Sequence, residues 1–429
     1  MPNTSVKYYT NIMQGAPQLT NDFGKMTALL DACLINGFNE RPIQELTYSA
    51  GTATCKVLDG HEYQVGQVLL VSGVDQAGYN GEVRVISTTS TTFTYAIEDV
   101  VTSPATGVAM KVKVAPLGFE LAFSSGNRRA YRSKNLLSNR PYLRVDDGIA
   151  PGYNPLFAKK AKVGIAQGMS DINTVVGTQA PFDPLNPKQN WEPAGSGDTI
   201  IDGWYKWYYA RYQYYNWDGN WDTRQPADFN RQWVLVGDDR GFYLLTSYGN
   251  EMWGQHRVGY CFTDFESYRQ NDPFNTTLVA TDRCSPANGG PGWYPDGGNW
   301  FNRTLDFSGK VVMRDHTLLG GNQAVGFTSL NTNNGQVISG NATGIPFPNP
   351  VDYSLILHPT YLMQYGSKGL RGKMPGYMFV HNDRPLEDLE IVENVTGYPG
   401  RKFLLVKMGV SDQGWSASTV AFDITGPWW

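Results

Sequence analysis

Four carboxylates, Asp238, Asp239, Asp264 and Glu266, fall among aromatic residues, the setting in which two acids flanking a sugar can hydrolyse a glycosidic bond. Two of them sit in the run GDDRG, where Asp is favoured simply for the local hydrogen bonds it gives a turn, and nothing in the sequence sets the separation of any pair. A second arrangement, Asp218-Gly219-Asn220-Trp221-Asp222, has the D-x-N-x-D spacing with which some calcium loops aim alternate oxygens at one cation. Thr223 stands where such a loop needs Gly, and Phe229 where it closes with Glu, so the segment reads as a polar turn between aromatics. The histidines, His61, His256, His316, His358 and His381, are scattered, and there is no G-x-S-x-G elbow, phosphate-cradling G-x-x-x-x-G-K-[ST] or H-E-x-x-H pair. Cys33, Cys55, Cys261 and Cys284 form no C-x-x-C pair, which points to buried free thiols rather than a zinc ribbon or a disulfide scaffold. The expectation is a protein that is not an enzyme and has no cofactor and no assigned metal, with a calcium site of another type than the EF-hand left open.

The elements that would position these groups follow from composition. Charged residues make up 17% of the 429, aromatics 13%, and there are 47 Gly and 25 Pro, a balance that favours short strands and many turns over long amphipathic helices. The fold class is therefore mainly β. A net charge of −4 offers no global attraction to phosphate backbones, so nucleic acid is not expected as a partner. No run of about 18 apolar residues is present for a bilayer span, and the opening MPNTSVKYYTNIM lacks the basic end and apolar core of a signal peptide. The expectation is a soluble chain made in a host cytoplasm, with no membrane partner.

Three regions are expected: an N-terminal arm and helix over 1–45, a small β module over 46–115, and a large, loop-rich β domain over 116–429. The helix is predicted over 20–35, where Phe23, Met26, Leu30, Cys33 and Leu34 recur at three- and four-residue spacing. Thr20 or Asn21 would cap its start and Gly37 its end, and Gly24 costs it about 1 kcal/mol relative to Ala. A core helix and an interface helix fit this pattern equally. In the module, β-branched runs broken by Gly, Asn and Asp predict strands over 67–71, 82–87, 91–96 and 108–114.

The segment 126–162 carries nine basic residues, from Arg128 to Lys162, against only Asp146 and Asp147, a local excess of seven positive charges. Docking on an acidic protein neighbour, or simply a solvated surface, explains it better than DNA in a chain that is acidic overall. Next comes an aromatic stretch over 204–221, WYKWYYARYQYYNWDGNW, with no single period, so both its faces must be covered. Trp233–Val236 and Phe242–Leu245 around GDDRG predict a hairpin, and further strands are expected over 258–262, 311–314, 353–357, 377–381, 403–408 and 419–424. The chain ends on Trp428 and Trp429. Burial of about 150–250 Å² on each indole, on the order of 4 kcal/mol apiece, predicts that this end is packed rather than frayed. The residues expected at interfaces are thus Phe23, Met26 and Leu30, then Arg128, Arg129 and Arg132, then Trp204, Trp207, Tyr215, Trp217 and Trp221, and finally Trp428 and Trp429.

Three passages, KYYTNIMQGAPQLTNDFGKMTALLDACLINGFN, HEYQVGQVLLVSGVDQAGYNGEVRVISTTSTTFTYA, and WVLVGDDRGFYLLTSY followed by GYCFTDFESYRQNDPFNTTLVA, resemble virion structural proteins of tailed bacteriophages. GLRGKMPGYMF and AFDITGPWW extend the resemblance over nearly the whole chain. It implies a virion component of the tail or baseplate that assembles with other virion structural proteins and with copies of itself, without enzymatic activity or cofactor. The alternative is a head or collar fibre, or a receptor- or carbohydrate-binding protein of the virion whose aromatic stretch stacks on a host surface glycan.

Overall fold

The structure is a computed structural model that describes residues 2–197, 200–212, 221–247, 257–282, 311–314, 322–328, 332–333, 336–337, 354–364, 369–380, 386–408 and 418–429. It is mainly β, with one short α-helix and antiparallel sheets. Tyr215, Trp217, Asp218 to Asn220, His256, Cys284, His316 and His381 lie outside the described residues.

The first sheet is the small module. Its strand Phe38–Ser49 pairs with Lys111–Val114 through its first half and with Thr52–Val57 through its second, so a boundary at residue 46 would cut one strand in two. The unit that closes its own hydrogen bonds is 38–114. Ala50 and Gly51, both at positive φ, make the two-residue turn from Ser49 to Thr52, the hand that matches strand twist. Val68–Ser72, Gly81–Arg84, Ser87–Thr88 and Thr92–Ala96 complete the sheet close to where β-branched runs predicted strands. Val108, expected in the last strand, lies instead in the loop before it and is fully exposed.

The helix is shorter than the periodicity suggests. It runs Lys25–Leu30 and continues as a π-helical turn Asp31–Asn36. Its N-cap is Gly24 at φ 88, with no side-chain cap of its own. Thr20 and Asn21 cannot serve because their side chains are engaged elsewhere, Thr20 with Asp22 and Asn21 with the carbonyls of Pro226 and Ala227. Asp147, far along the chain, accepts the first free N–H groups instead. Met26, Leu29, Leu30, Cys33 and Leu34 are all fully buried in the chain's main core, which decides between the two readings of the helix: Met26 and Leu30 are core residues, not an interface.

The second sheet contains Glu120–Ser125, Arg128–Arg132, Tyr142–Asp146, Lys159–Asp171, Thr174–Ala180 and Tyr205–Ala210. The largest sheet begins with Lys7–Thr10, which pairs with Trp233–Asp238, so the N-terminal segment is an edge strand and not a free arm. Trp233–Asp238 forms the predicted hairpin with Gly241–Thr246. Val258–Asp264, Lys402–Met408 and Ser418–Asp423 also lie near their expected positions. The strand expected over 353–357 starts only at Leu357 and runs to Gln364, and the one expected over 377–381 is the far end of Gly369–Val380.

The chain ends are stitched together. Arg84 of the module donates to the carbonyls of Asn3 at 2.7 Å and Val6 at 2.9 Å, and Lys7 pairs with Glu82 at 3.0 Å. Gly426, at φ 68, packs so tightly on Asn3, Ser5 and Val6 that a Cβ there would come within 2.8 Å of all three. Module, N-terminal strand and C-terminal tail therefore meet at one seam.

Candidate interaction interface

The aromatic stretch begins as the strand Tyr205–Ala210, buried on both faces. The Trp207 indole N–H donates to the Val279 carbonyl at 2.8 Å, and its ring stacks on Tyr260 and meets Phe242 edge-on. The Tyr208 hydroxyl donates to Asp222 and that of Tyr209 to Asp147. Trp207 therefore belongs to this chain's own core, because the stretch is flanked by strands on both edges and rings on both faces. Trp204 is half-buried beside Tyr205, and Trp221 opens a 3-10 turn. Asp222, the last acid of the calcium-like spacing, has its other oxygen on Arg211 at 2.7 Å. That oxygen carries an ion pair.

The basic stretch is compensated by acids remote in sequence, which corrects the local count. Arg129 pairs with Asp31 at 2.9 Å, Arg132 and Arg140 share Glu120, and Lys162 lies 3.2 Å from Asp202 and 3.5 Å from Asp146. Arg132 also lies over the Tyr142 ring, and Arg128 donates to the Asn173 side chain. Arg144, Lys159, Lys160 and Lys162 are buried, three of them over aromatic faces: Arg144 on Trp191 at 3.9 Å, Lys160 on Tyr153 at 4.0 Å and Lys159 on Phe23 at 5.3 Å. Burial pushes Lys159 down to about 8, helped by the Arg231 charge. Phe23 is half-buried, edge-on to Tyr153, with the Lys159 ammonium 5.3 Å from its ring. Arg129, Arg132 and Phe23 are thus occupied within the chain. Lys134 is exposed and makes no ion pair among the described residues.

The turn of the Trp233–Asp238 hairpin gathers what remains. Asp238 Oδ1 accepts the backbone N–H groups of Arg240 and Gly241 at 2.8 and 3.0 Å, and Oδ2 accepts the Trp429 indole N–H at 2.7 Å. Burial pushes Asp238 up to about 6. The Arg240 guanidinium lies 3.8 Å over the Trp429 ring and 3.4 Å from Asp264 Oδ2. Asp264, raised by burial, accepts the Thr276 hydroxyl at 2.6 Å on its other oxygen. Asp239 accepts the Asn135 amide through its carboxylate and the Ser133 hydroxyl through its carbonyl. Glu266 lies exposed, facing Lys373 at 4.0 Å. Three of the four acids considered for glycoside hydrolysis are thus tied into the turn and its neighbours.

Two features of this turn face solvent. Trp428 packs on Tyr243 and lies against Gly376, where a Cβ would come within 2.1 Å of the indole, whereas Trp429 remains 40% exposed. The loop 133–140, tied down by Ser133, Asn135 and an Arg140 hydrogen bond to the Ser133 carbonyl, presents Leu136 and Leu137, each 81% exposed. Sequence reasoning passed over these leucines. Their signal was two adjacent apolar residues in the otherwise polar run SKNLLSNR.

Among the described residues no group of three or more His, Cys, Asp or Glu is placed to hold a metal, and no helix is long and apolar enough to cross a membrane. Cys33, Cys55 and Cys261 are buried free thiols.

No protein-family model and no curated protein matches the chain. Among solved structures it is similar to the Phage phi92 endosialidase at 11% sequence identity and a TM-score of 0.17, over 90% of this chain and 51% of that one. The chain spans about half the length of that protein.

Proposed function

We propose that this chain is a structural component of a tailed-phage virion, in the tail or baseplate, and that it acts by packing against neighbouring subunits without turning over a substrate. The tail or baseplate placement rests on the resemblance of its N-terminal, module and hairpin passages to virion structural proteins. The observation that carries the mode of action is the loop 133–140: two adjacent leucines, each 81% exposed, on a backbone pinned by side-chain hydrogen bonds to Asp239. Covering both leucines would contribute about 1.5–3 kcal/mol each. Because the loop is already ordered, little of that gain is lost to immobilisation on binding. Engagement of Asp238, Asp239 and Asp264 in holding the turn supports a contact surface over an acid–base site.

Mass spectrometry of purified particles tests this directly. The chain is expected in the particles, and a variant carrying Leu136→Asp with Leu137→Asp is expected to fold normally but to be left out of them. Absence of the wild-type chain from particles, or full incorporation of the double variant, overturns the proposal.

A further inference from the structure

Among the described residues, only Val100, Val108, Leu136, Leu137 and Leu185 are large aliphatic side chains more than four-fifths exposed. Four of these five fall into two pairs. Leu136 and Leu137 crown the loop described above, and Val100 and Val108 lie on the loop 98–110 of the small module.

The two loops share a construction. The module loop is fixed at several points: the Ala105 N–H donates to the Leu46 carbonyl at 2.8 Å, the Ser103 hydroxyl accepts the Tyr48 N–H at 2.9 Å, and Thr106 exchanges hydrogen bonds with Asp75 and Gln76. Both loops therefore hold apolar side chains out in water on an ordered backbone, which is the preorganisation a docking surface needs. Their charges are opposite. Lys134 precedes the leucines and Asp99 precedes Val100; both are exposed, and neither is ion-paired among the described residues.

We propose that a second copy of this chain docks its Val100–Val108 loop on the Leu136–Leu137 loop of the first, with Asp99 of one copy facing Lys134 of the other. This names the partner for the subunit-contact reading above and rests on it. Charge selects the pairing: the leucine loop against itself would oppose two Lys134 ammonium groups, and the valine loop against itself two Asp99 carboxylates, whereas the crossed arrangement joins unlike charges. Made reciprocally between two copies, this crossed contact is an isologous two-fold pair; made once per copy it is heterologous and closes as a ring only if the rotation between copies allows it.

The test is self-association of the full chain, followed by sedimentation velocity over a concentration series. Lys134→Glu and Asp99→Lys are each expected to weaken association about tenfold, and the double variant to restore it. Leu136→Asp with Leu137→Asp is expected to abolish association without shifting the melting temperature. A wild-type chain that stays monomeric at every concentration, single reversals without effect, or a double variant that fails to recover overturns the proposal. If the monomeric chain still enters particles, self-docking fails while the subunit-contact reading stands; if it associates but is absent from particles, the reverse holds.

Discussion

Asp147 and Met26 lie 121 positions apart, and the Asp147 carboxylate accepts the Met26 backbone N–H at 2.8 Å and that of Thr27 at 3.2 Å. Its second oxygen accepts the Tyr209 hydroxyl at 2.7 Å, and its carbonyl accepts the Gly24 N–H. One fully buried side chain thus caps the only α-helix among the described residues and joins it to two strands of the second sheet.

Asp147→Ala is expected to cost about 1–3 kcal/mol in urea unfolding, because two buried N–H groups and a hydroxyl lose their acceptor. Asp147→Asn is expected to cost less than Asp147→Ala. Its amide oxygen can face the helix, its NH₂ can donate to Tyr209, and that hydroxyl can turn to the Asp22 carbonyl, 3.0 Å away. Equal loss in both variants would contradict this account of the cap.

The same residue sets a pH dependence. Burial holds Asp147 up to about 7, against 3.8 ordinarily, with its hydrogen bonds opposing the shift. Between those values the folded chain holds a proton that the unfolded chain has lost, so this group's contribution makes stability fall as pH rises from about 4 to 7. Subtracting the unfolding free energy of Asp147→Asn from that of the wild type at each pH isolates the contribution. A difference that stays flat or rises with pH refutes it.

His61 acts in the opposite direction. Its ring stacks on Tyr63, Nδ1 accepts the Tyr63 N–H at 3.1 Å, and burial lowers its pKa below 6.5. The unfolded chain then binds the proton first, so the stability held above about 6.5 is lost as pH falls through it. The melting temperature of the module is expected to drop between pH 7.5 and 5, and to drop less in His61→Phe.

A fragment spanning 38–115 is expected to give a dispersed amide spectrum, whereas 46–115 is expected not to. The shorter piece lacks the half-strand to which Lys111–Val114 pairs, and roughly seventy residues barely sustain a core even when complete. Equal dispersion from both fragments would show that this half-strand is dispensable.

The two terminal tryptophans should separate. Trp428→Ala is expected to lower stability by about 2–3 kcal/mol, since it empties a space bounded by Tyr243 and Gly376, and Trp429→Ala by about 1 kcal/mol or less, since that ring is 40% exposed. Denaturant midpoints for the two single variants check the order, and a larger loss at Trp429 would reverse it.

Local chemistry made much of this legible in the chain itself. The apolar runs around GDDRG marked a hairpin because turn geometry and strand pattern are short-range properties, and the closing strand before the final tryptophans was readable for the same reason. The excess of seven positive charges was a true local count, and Glu120 faces Arg132 across a local strand pair, yet Asp31 and Asp202 pair with Arg129 and Lys162 from 98 and 40 positions away, and only the tertiary fold brings them together. The spacing of Met26, Leu30 and Leu34 announced an apolar stripe but not what covers it, since a stripe reads the same against its own core or a partner. Nor could periodicity reveal that the helix starts at Lys25, because the group that satisfies its first N–H groups, Asp147, arrives from another sheet. Most hydrogen-bond partners and counter-charges are long-range in this β-rich chain, so the sequence by itself determined the mainly β class and those strands whose turns are local, and tertiary packing alone decided the remaining elements, which residues are spent inside and which, like Leu136 and Leu137, are left to face water.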